Sequence, residues 1–308
     1  MRSLVFVIAG VALAAAACGA PANGDSTEGL TIGLSVSTMS NPYFVQFRDG
    51  AEAAAQRFGV KLSVADAQND ASRQATQVHG FTSRKMNAVI INPVDSNALA
   101  TEVKAASQAG IPVIAADRAI NHAPVTETLT SDNLAGGRLG AQELAKQIGG
   151  KGDVVVLSGT AGTSASRDRS KGFADGIAAY PKIKVVATQR ADFDRAKGLN
   201  VMTSLIRSHP GLDGVFAEND EMALGAIQAL GPKAGHHVKV VGFDGTPDGI
   251  KAVRAGSMAA TVTQQPRVIG WQAVQDAIKV AKGQPVAKTV AVPVKLATKD
   301  NANEFWTF

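Results

Sequence analysis

Cysteine is nearly absent from this 308-residue sequence, and charge is sparse. Cys18 is the only cysteine, so no intramolecular disulfide bond can form. Charged residues make up 19% of the chain, and the net charge of +5 comes from Lys and Arg spread along it rather than clustered. A protein that binds nucleic acid usually carries a basic patch. We therefore expect no nucleic-acid partner.

The short motifs of nucleotide and hydrolase sites are also missing. The turn after the first predicted strand, Ser37 to Asn41, contains no glycine, although a dinucleotide-binding turn requires several. Neither a Gly-Lys-Ser/Thr phosphate loop nor a Gly-x-Ser-x-Gly nucleophile elbow occurs. The five histidines do not have the spacing of metal ligands. The sequence therefore predicts neither a cofactor nor a metal ion, and it disfavours an enzyme.

An apolar run at the amino terminus is too short to cross a membrane. Leu4 to Ala17 spans 14 residues, whereas a membrane-spanning helix needs about 20. We interpret residues 1–18 as an export signal, with Cys18 at its boundary as a candidate for lipidation. Cleavage after Ala17 without lipidation is the alternative. Residues 19–29, which are small and polar, are expected to form a flexible tether.

From Leu30 onward, short β-branched segments alternate with longer amphipathic ones, which predicts parallel sheets covered by helices. With 45% hydrophobic residues, a chain of this length can form two cores. The sequence therefore predicts an α/β protein with two domains. The predicted strands are Leu30 to Ser37, Lys61 to Ala65, Ala88 to Ile91, Val113 to Ala116, Val154 to Ser158, Lys184 to Thr188, Gly214 to Ala217, Val238 to Phe243 and Ala259 to Thr263.

Polar residues directly follow several of these strands. In parallel α/β sheets, ligands bind beyond the carboxyl ends of the strands, where helix amino termini also present unpaired N–H groups. The residues at these positions are Ser37, Asn41, Asp117, Arg118, Asn219 and Asp244. The two carboxylates are accompanied by Arg, Asn and Gln residues, a set that favours binding a ligand over acid–base catalysis.

Nine segments carry a family resemblance. In chain order they are SVSTMSNPYF, INPVDSNA, IPVIAADR, TSDNLAGG, AGTSASRDR, ADFDRAKGLNVM, VFAENDEMALGA, VVGFDGTPDG and AATVTQQP. Together they resemble the periplasmic ribose-binding proteins of bacterial ATP-driven sugar importers, from about Leu30 to Pro293. The resemblance implies the type I periplasmic binding protein fold, in which two Rossmann-like lobes are joined by a three-segment hinge.

The resemblance also implies domain boundaries, partners and a location. Lobe one would comprise residues 30–131 plus 265–292, and lobe two residues 132–264 plus 293–308. A sugar would bind between the lobes and pass to the permease of an ABC transporter. The protein is expected to be a monomer, exported to the periplasm or to the outer face of the cell membrane, and held there by lipid if Cys18 is modified.

The sugar contacts implied by the resemblance come from both lobes and the hinge. They are Ser37, Asn41, Tyr43, Phe44, Asp117, Arg118, Arg169, Phe193, Asn219, Asp244 and Gln264. Two Asp and two Arg balance in formal charge, which suits a neutral sugar, and D-ribose is the first candidate. Tyr43 stands where the family has phenylalanine. We expect its hydroxyl to point away from the cleft, which would preserve a ribose-sized pocket.

Other functions remain open at this stage. Within the same class, the ligand would be allose, xylose, galactofuranose, a polyol or a furanose signal molecule. The effector domain of a sugar-responsive repressor shares this fold, but it requires a DNA-binding motif where the export signal lies. An enzyme that acts on sugars is the remaining alternative. The tail from Ala297 to Phe308 departs from the family, and the sequence does not indicate how it packs.

Overall fold

The computed structural model describes residues 27–305. The predicted export signal, Cys18 and most of the predicted tether lie outside the described residues, as do residues 306–308. The strands are β1 (Thr31–Val36), β2 (Lys61–Asp66), β3 (Ala88–Ile91), β4 (Val113–Ala116), β5 (Glu127–Ser131), β6 (Lys151–Ser158), β7 (Lys182–Arg190), β8 (Leu212–Ala217), β9 (Lys239–Asp244), β10 (Ala260–Thr263), β11 (Thr289–Val292) and β12 (Lys295–Thr298).

Helices connect most of these strands. They are α1 (Pro42–Phe58), α2 (Ala71–Ser83), α3 (Ala100–Gln108), α4 (Asn133–Gln147), α5 (Ser164–Ile177), α6 (Arg195–Ser208), α7 (Asp220–Leu230), α8 (Pro247–Ala255) and α9 (Pro266–Ala281). Short 3₁₀ helices cover Gly231–Lys233 and Ala302–Phe305. Within residues 27–305, none of the helices combines the length and the apolar character that crossing a bilayer demands.

The strands form two six-stranded sheets. The first has the order β11-β5-β4-β3-β1-β2 and is parallel throughout. The second has the order β12-β10-β9-β8-β6-β7 and is parallel except for the pair of β10 with β12. Central strands such as β3 and β4 are buried at every residue, because helices cover both faces of each sheet. The predicted α/β class and two-lobe fold are confirmed.

Within residues 27–305, the chain passes between the sheets at three places. It crosses from β5 to α4, from β10 to α9, and from β11 to β12. Helix α9 returns to the first sheet and packs against α1, where Gly50 lies against the backbone of Arg267. We propose these crossings as the boundaries of lobe one, residues 30–131 plus 265–292, and of lobe two, residues 132–264 plus 293 onward.

Close helix packing in lobe two places a charged side chain at the edge of the second sheet. Helix α4 packs so closely on β9 that a Cβ at Gly136 would come within 2.6 Å of the Phe243 ring. At the next residue, Gly137, a Cβ would lie 2.4 Å from the carbonyl oxygen of Arg169 in α5. The absence of these two side chains lets α4 and α5 approach closely. Arg169 is thereby held over the carboxyl end of β9.

Candidate functional site

A cavity lies between the carboxyl ends of the two sheets, with about 250 Å³ of space that no atom fills, part of it open to solvent. Its lining consists of Asn41, Tyr43, Phe44, Asp117, Arg118, Ala165, Arg169, Phe193, Asn219, Asp244 and Gln264. Every predicted contact residue except Ser37 is in this set, and Ala165 is an addition.

The aromatic part of the lobe-one wall comes from the first turn of α1. Asn41 caps this helix, and its side chain accepts a hydrogen bond of 2.9 Å from the backbone N–H of Tyr43. Pro42 fits the first helical position because its φ is already restricted and it has no N–H to satisfy. The rings of Tyr43 and Phe44 follow, and they pack edge to face with centroids 5.1 Å apart. The cap therefore fixes both rings at the cavity.

Asp117 follows β4 and is held in an unusual backbone conformation. Its φ is 67°, a left-handed value that costs energy for a residue other than glycine. Oδ2 accepts a hydrogen bond of 3.0 Å from Nδ2 of Asn92. Oδ1 accepts one of 2.7 Å from the hydroxyl of Tyr43. The backbone conformation and these two hydrogen bonds therefore orient the carboxylate at the cavity wall.

Arg118 carries an unused hydrogen-bond donor in the cavity. Nη1 donates to the carbonyl oxygen of Pro93 at 3.0 Å, and Nε lies 3.7 Å from Oδ2 of Asp117. Nε has no hydrogen-bond partner among residues 27–305, although the side chain is 6% exposed. The guanidinium stacks between Phe44 and Phe193, with its carbon 5.3 and 5.5 Å from the ring centres. A buried donor without a partner is costly, so this group is suited to a ligand oxygen.

Arg169 and Asp244 form the centre of the lobe-two wall. Nε of Arg169 donates to Oδ1 of Asn133 at 2.9 Å, and Nη1 donates to the carbonyl oxygen of Glu218 at 2.6 Å. Nη1 also lies 3.4 Å from Oδ1 of Asp244, whose φ is 116°. The hinge residue Gln264 donates from Nε2 to the same Asp244 oxygen at 2.7 Å.

Two further residues complete this wall. Asn219 caps α7, with its Oδ1 accepting from the backbone N–H of Met222 at 3.0 Å. Its Nδ2 donates to the carbonyl oxygen of Phe193 at 3.2 Å, which ties the cap to the loop before α6. Phe193 has φ of 59°, and its ring occupies the space beside Gly159, where a Cβ would lie 2.0 Å away. The ring therefore reaches across the strand end into the cavity.

Burial dominates the electrostatics of the cavity. It raises the pKa of Asp244 well above its ordinary value, with Asp220 and Asp117 acting in the same direction and Arg169 opposing it. Burial also raises the pKa of Tyr43, and the Asp117 carboxylate adds to this shift. Burial lowers the pKa of Arg118, against the attraction of Asp117. The protein does not fully compensate the buried charge of Asp244, so hydroxyl donors from a ligand would stabilise it.

Tyr43 lines the cavity, whereas Ser37 does not. The expectation that the Tyr43 hydroxyl points away from the cleft is wrong, because the hydroxyl lies between Asp117 and Gln264, both of which line the cavity. Ser37 is fully buried and lies outside the cavity lining. Its N–H donates to Oδ1 of Asn92 at 3.1 Å, and its Oγ has no partner within the described part of the chain. A direct sugar contact by Ser37 stays a prediction.

The lobes contact each other at the mouth of the cavity. The N–H of Ser164, at the start of α5, donates to Oγ of Ser96 at 3.0 Å. The Oγ of Ser164 accepts a hydrogen bond from the N–H of Ala119 at 2.9 Å. The N–H of Ser96 donates to the carbonyl oxygen of Gly162 at 3.1 Å. These bonds join the loops after β3 and β4 to the loop after β6. The structure therefore represents a closed arrangement of the lobes.

Two α/β lobes, each built on a largely parallel sheet, close on a cavity with balanced formal charge, and this arrangement defines a solute-binding protein. In the described part of the chain, no cluster of metal-ligating residues occurs. The chain belongs to the periplasmic binding protein family, whose domain matches residues 32–285.

Individual relatives place the chain among sugar-binding members of this family. It is 45% identical to the ribose import binding protein RbsB of Escherichia coli, over 97% of this chain and 99% of that protein. It is 41% identical to the ribose import binding protein RbsB of Bacillus subtilis, over 91% and 90%. A solved ABC transporter periplasmic solute-binding protein of Actinobacillus succinogenes, with bound D-allose, superposes with a TM-score of 0.85 at 33% identity, covering 89% of this chain and 99% of that one.

Proposed function

We propose that this protein captures a neutral monosaccharide, with D-ribose as the first candidate, and delivers it to the permease of an ABC importer. The observation that carries the proposal is the cavity itself, which Asp117, Asp244, Arg118 and Arg169 line together with aromatic rings. Similarity to the ribose import binding proteins of two bacteria supports the choice of ribose.

The chemistry of a sugar matches these groups. Each hydroxyl donates one hydrogen bond and accepts others, so carboxylates accept its hydrogen bond while guanidinium and amide groups donate to its oxygen. The weakly apolar faces of the ring suit the side chains of Phe44 and Phe193. Hydrogen bonds to charged groups contribute about 1.5–3 kcal/mol each. A few of them would be enough for sub-micromolar binding, which requires about −8 kcal/mol.

Closure of the lobes would trap the sugar and would also let the permease recognise the loaded protein. Contacts from the two lobes are complete only when the hinge is closed, so the sugar favours the closed state by bonding to both walls at once. The bonds of Ser164 to Ser96 and Ala119 then hold the mouth shut. A permease can distinguish this closed form from the empty, open form.

Export and anchoring are part of the same proposal. The apolar run from Leu4 to Ala17 and the periplasmic binding protein domain that follows it both favour a location outside the cytoplasm. Lipidation of Cys18, a monomeric state and the absence of catalysis stay predictions. Another sugar is the alternative ligand, since the Actinobacillus succinogenes structure at 33% identity contains D-allose.

A ligand screen tests the function directly. We expect D-ribose to raise the thermal unfolding midpoint of the purified protein more than D-allose, D-xylose or xylitol at equal concentration. A ligand at 100 times its Kd stabilises the folded state by about 2.7 kcal/mol. Small-angle scattering on the same samples should show a smaller radius of gyration with ribose. A protein that responds to none of these sugars would contradict the proposal, and a stronger response to another sugar would change its ligand.

A further inference from the structure

The hydroxyl of Tyr43 occupies a corner of the cavity that a ligand hydroxyl could otherwise fill. Its oxygen lies 2.7 Å from Oδ1 of Asp117 and 3.3 Å from Oε1 of Gln264. Both of these oxygens are acceptors, and a hydroxyl at this corner donates its one proton mainly to the nearer of them, Oδ1 of Asp117. Tyr43 supplies that proton from the protein. A ligand hydroxyl bonded to the same two acceptors would have to stand where the tyrosine oxygen already is.

The position of this hydroxyl is fixed by its surroundings. Tyr43 is 3% exposed, its backbone is held by the Asn41 cap, and its ring packs edge to face on Phe44. A buried aromatic ring in such contacts has no free rotamer to move its hydroxyl away. The group is therefore a permanent part of the cavity wall.

The same hydroxyl completes a polar chain that runs through both lobes. On the lobe-one side, Asp117 accepts from Asn92 and from Tyr43. On the lobe-two side, Gln264 donates to Asp244, which pairs with Arg169. The tyrosine oxygen lies between these two halves. In a protein with phenylalanine here, Asp117 and Gln264 would each lose this neighbour, and a ligand hydroxyl or a water would have to join them.

We infer that Tyr43 is a specificity-determining residue whose hydroxyl replaces one ligand hydroxyl at the Asp117–Gln264 corner. This inference rests on the proposed function. The cavity then recognises one hydroxyl fewer on its sugar. Its ligand class widens to pentose-sized sugars in which that hydroxyl is missing or inverted, while recognition of the other hydroxyls by Arg118, Arg169 and Asp244 is retained.

The test compares Tyr43→Phe with the unchanged protein by calorimetric titration, with D-ribose and the set of monodeoxy analogues that each lack one ring hydroxyl. For one analogue, we expect the unchanged protein to bind within about threefold of ribose, because no protein group depends on the missing hydroxyl. At the same analogue, Tyr43→Phe should widen the difference to about tenfold or more, because the corner then needs the ligand hydroxyl. Tyr180→Phe is the matched control, since Tyr180 lies outside the cavity lining.

The outcomes separate this inference from the proposed function. If ribose binds but the unchanged protein discriminates strongly against every analogue, the inference is overturned and ribose capture stands. The same holds if the ratios are alike in the two proteins. If the unchanged protein binds neither ribose nor any analogue, the proposed function fails, and the inference fails with it. A thermal unfolding curve of Tyr43→Phe without sugar, matching that of Tyr180→Phe, shows that any change in the ratios is not a folding defect.

Discussion

Two buried clusters of charge in this protein differ in their balance. In the cavity, Asp117 and Asp244 face Arg118 and Arg169, so the formal charges cancel. In lobe one, the two carboxylates of Glu127 and Asp276 lie together at the start of β5, with Lys279 as the nearby cation. The side chain of Lys279 is half exposed, whereas that of Asp276 is 4% exposed.

The difference shows what each cluster is suited to do. The cavity cluster keeps a buried donor on Arg118 that has no hydrogen-bond partner among residues 27–305, and a carboxylate whose pKa is raised, so it is completed by a ligand. The lobe-one cluster has an excess of carboxylate, and it is completed by a proton. Burial first, and then repulsion from Asp276, raise the pKa of Glu127 to about 7. The first cluster should govern binding, and the second should contribute to the dependence of stability on pH without affecting binding.

Arg169→Ala is expected to have the largest effect on binding. The substitution removes donors to the cavity and leaves Asp244 without its ion-pair partner. The Kd for ribose should rise by at least about 100-fold, which corresponds to about 2.8 kcal/mol, by calorimetric titration. Arg167→Ala is the matched control, because that arginine belongs to the same helix with its side chain 58% exposed. An unchanged Kd for Arg169→Ala would remove this residue from the site.

Arg118→Lys separates charge from hydrogen-bond geometry in the same cluster. Lysine keeps the positive charge but lacks Nε and the planar group that stacks between Phe44 and Phe193. We expect the Kd for ribose to rise by about tenfold, less than for Arg169→Ala. A Kd equal to that of the unchanged protein would mean that only the balance of charge matters in the cavity.

The sequence predicted most of the fold because the central strands are buried apolar runs. All of the strands expected from the pattern are present, but β5, β11 and β12 were not expected as strands. In β5, the alternate buried residues are Glu127, Leu129 and Ser131, so two of the three buried positions are polar. Strands β11 and β12 are four residues long and are defined by pairing with strands far away in the chain. Local pattern carries no signal for such pairing.

The candidate site was predictable where residues follow strands. Asp117, Arg118, Asn219 and Asp244 come from that rule, whereas Arg169 lies inside α5 and was found only through the family resemblance. Ala165 was missed because a methyl group carries no chemical signal. The direction of the Tyr43 hydroxyl was predicted wrongly, because Asp117 and Gln264, which fix it, are distant in sequence.

Glu127→Gln should have the smallest effect on binding and should change the dependence of stability on pH instead. Glu127 is the first residue of β5 and lies four residues, about 13 Å, from the end that faces the hinge. The Kd for ribose should therefore stay within about twofold of its original value. The folded protein keeps the Glu127 proton up to a pKa of about 7, whereas the unfolded chain releases it near 4.5.

Between those two values the folded state holds more protons than the unfolded state, so the free energy of unfolding falls as the pH rises from about 4.5 to about 7. Above that range the contribution is constant. Glutamine cannot ionise, so the variant should gain stability relative to the unchanged protein as the pH rises through this window. Urea unfolding at a series of pH values measures the difference, and Glu52→Gln, a substitution of an exposed carboxylate in the same lobe, is the control. Parallel curves for Glu127→Gln and the unchanged protein would mean that the second cluster does not contribute to the pH dependence of stability, and the contrast with the cavity would then rest on binding alone.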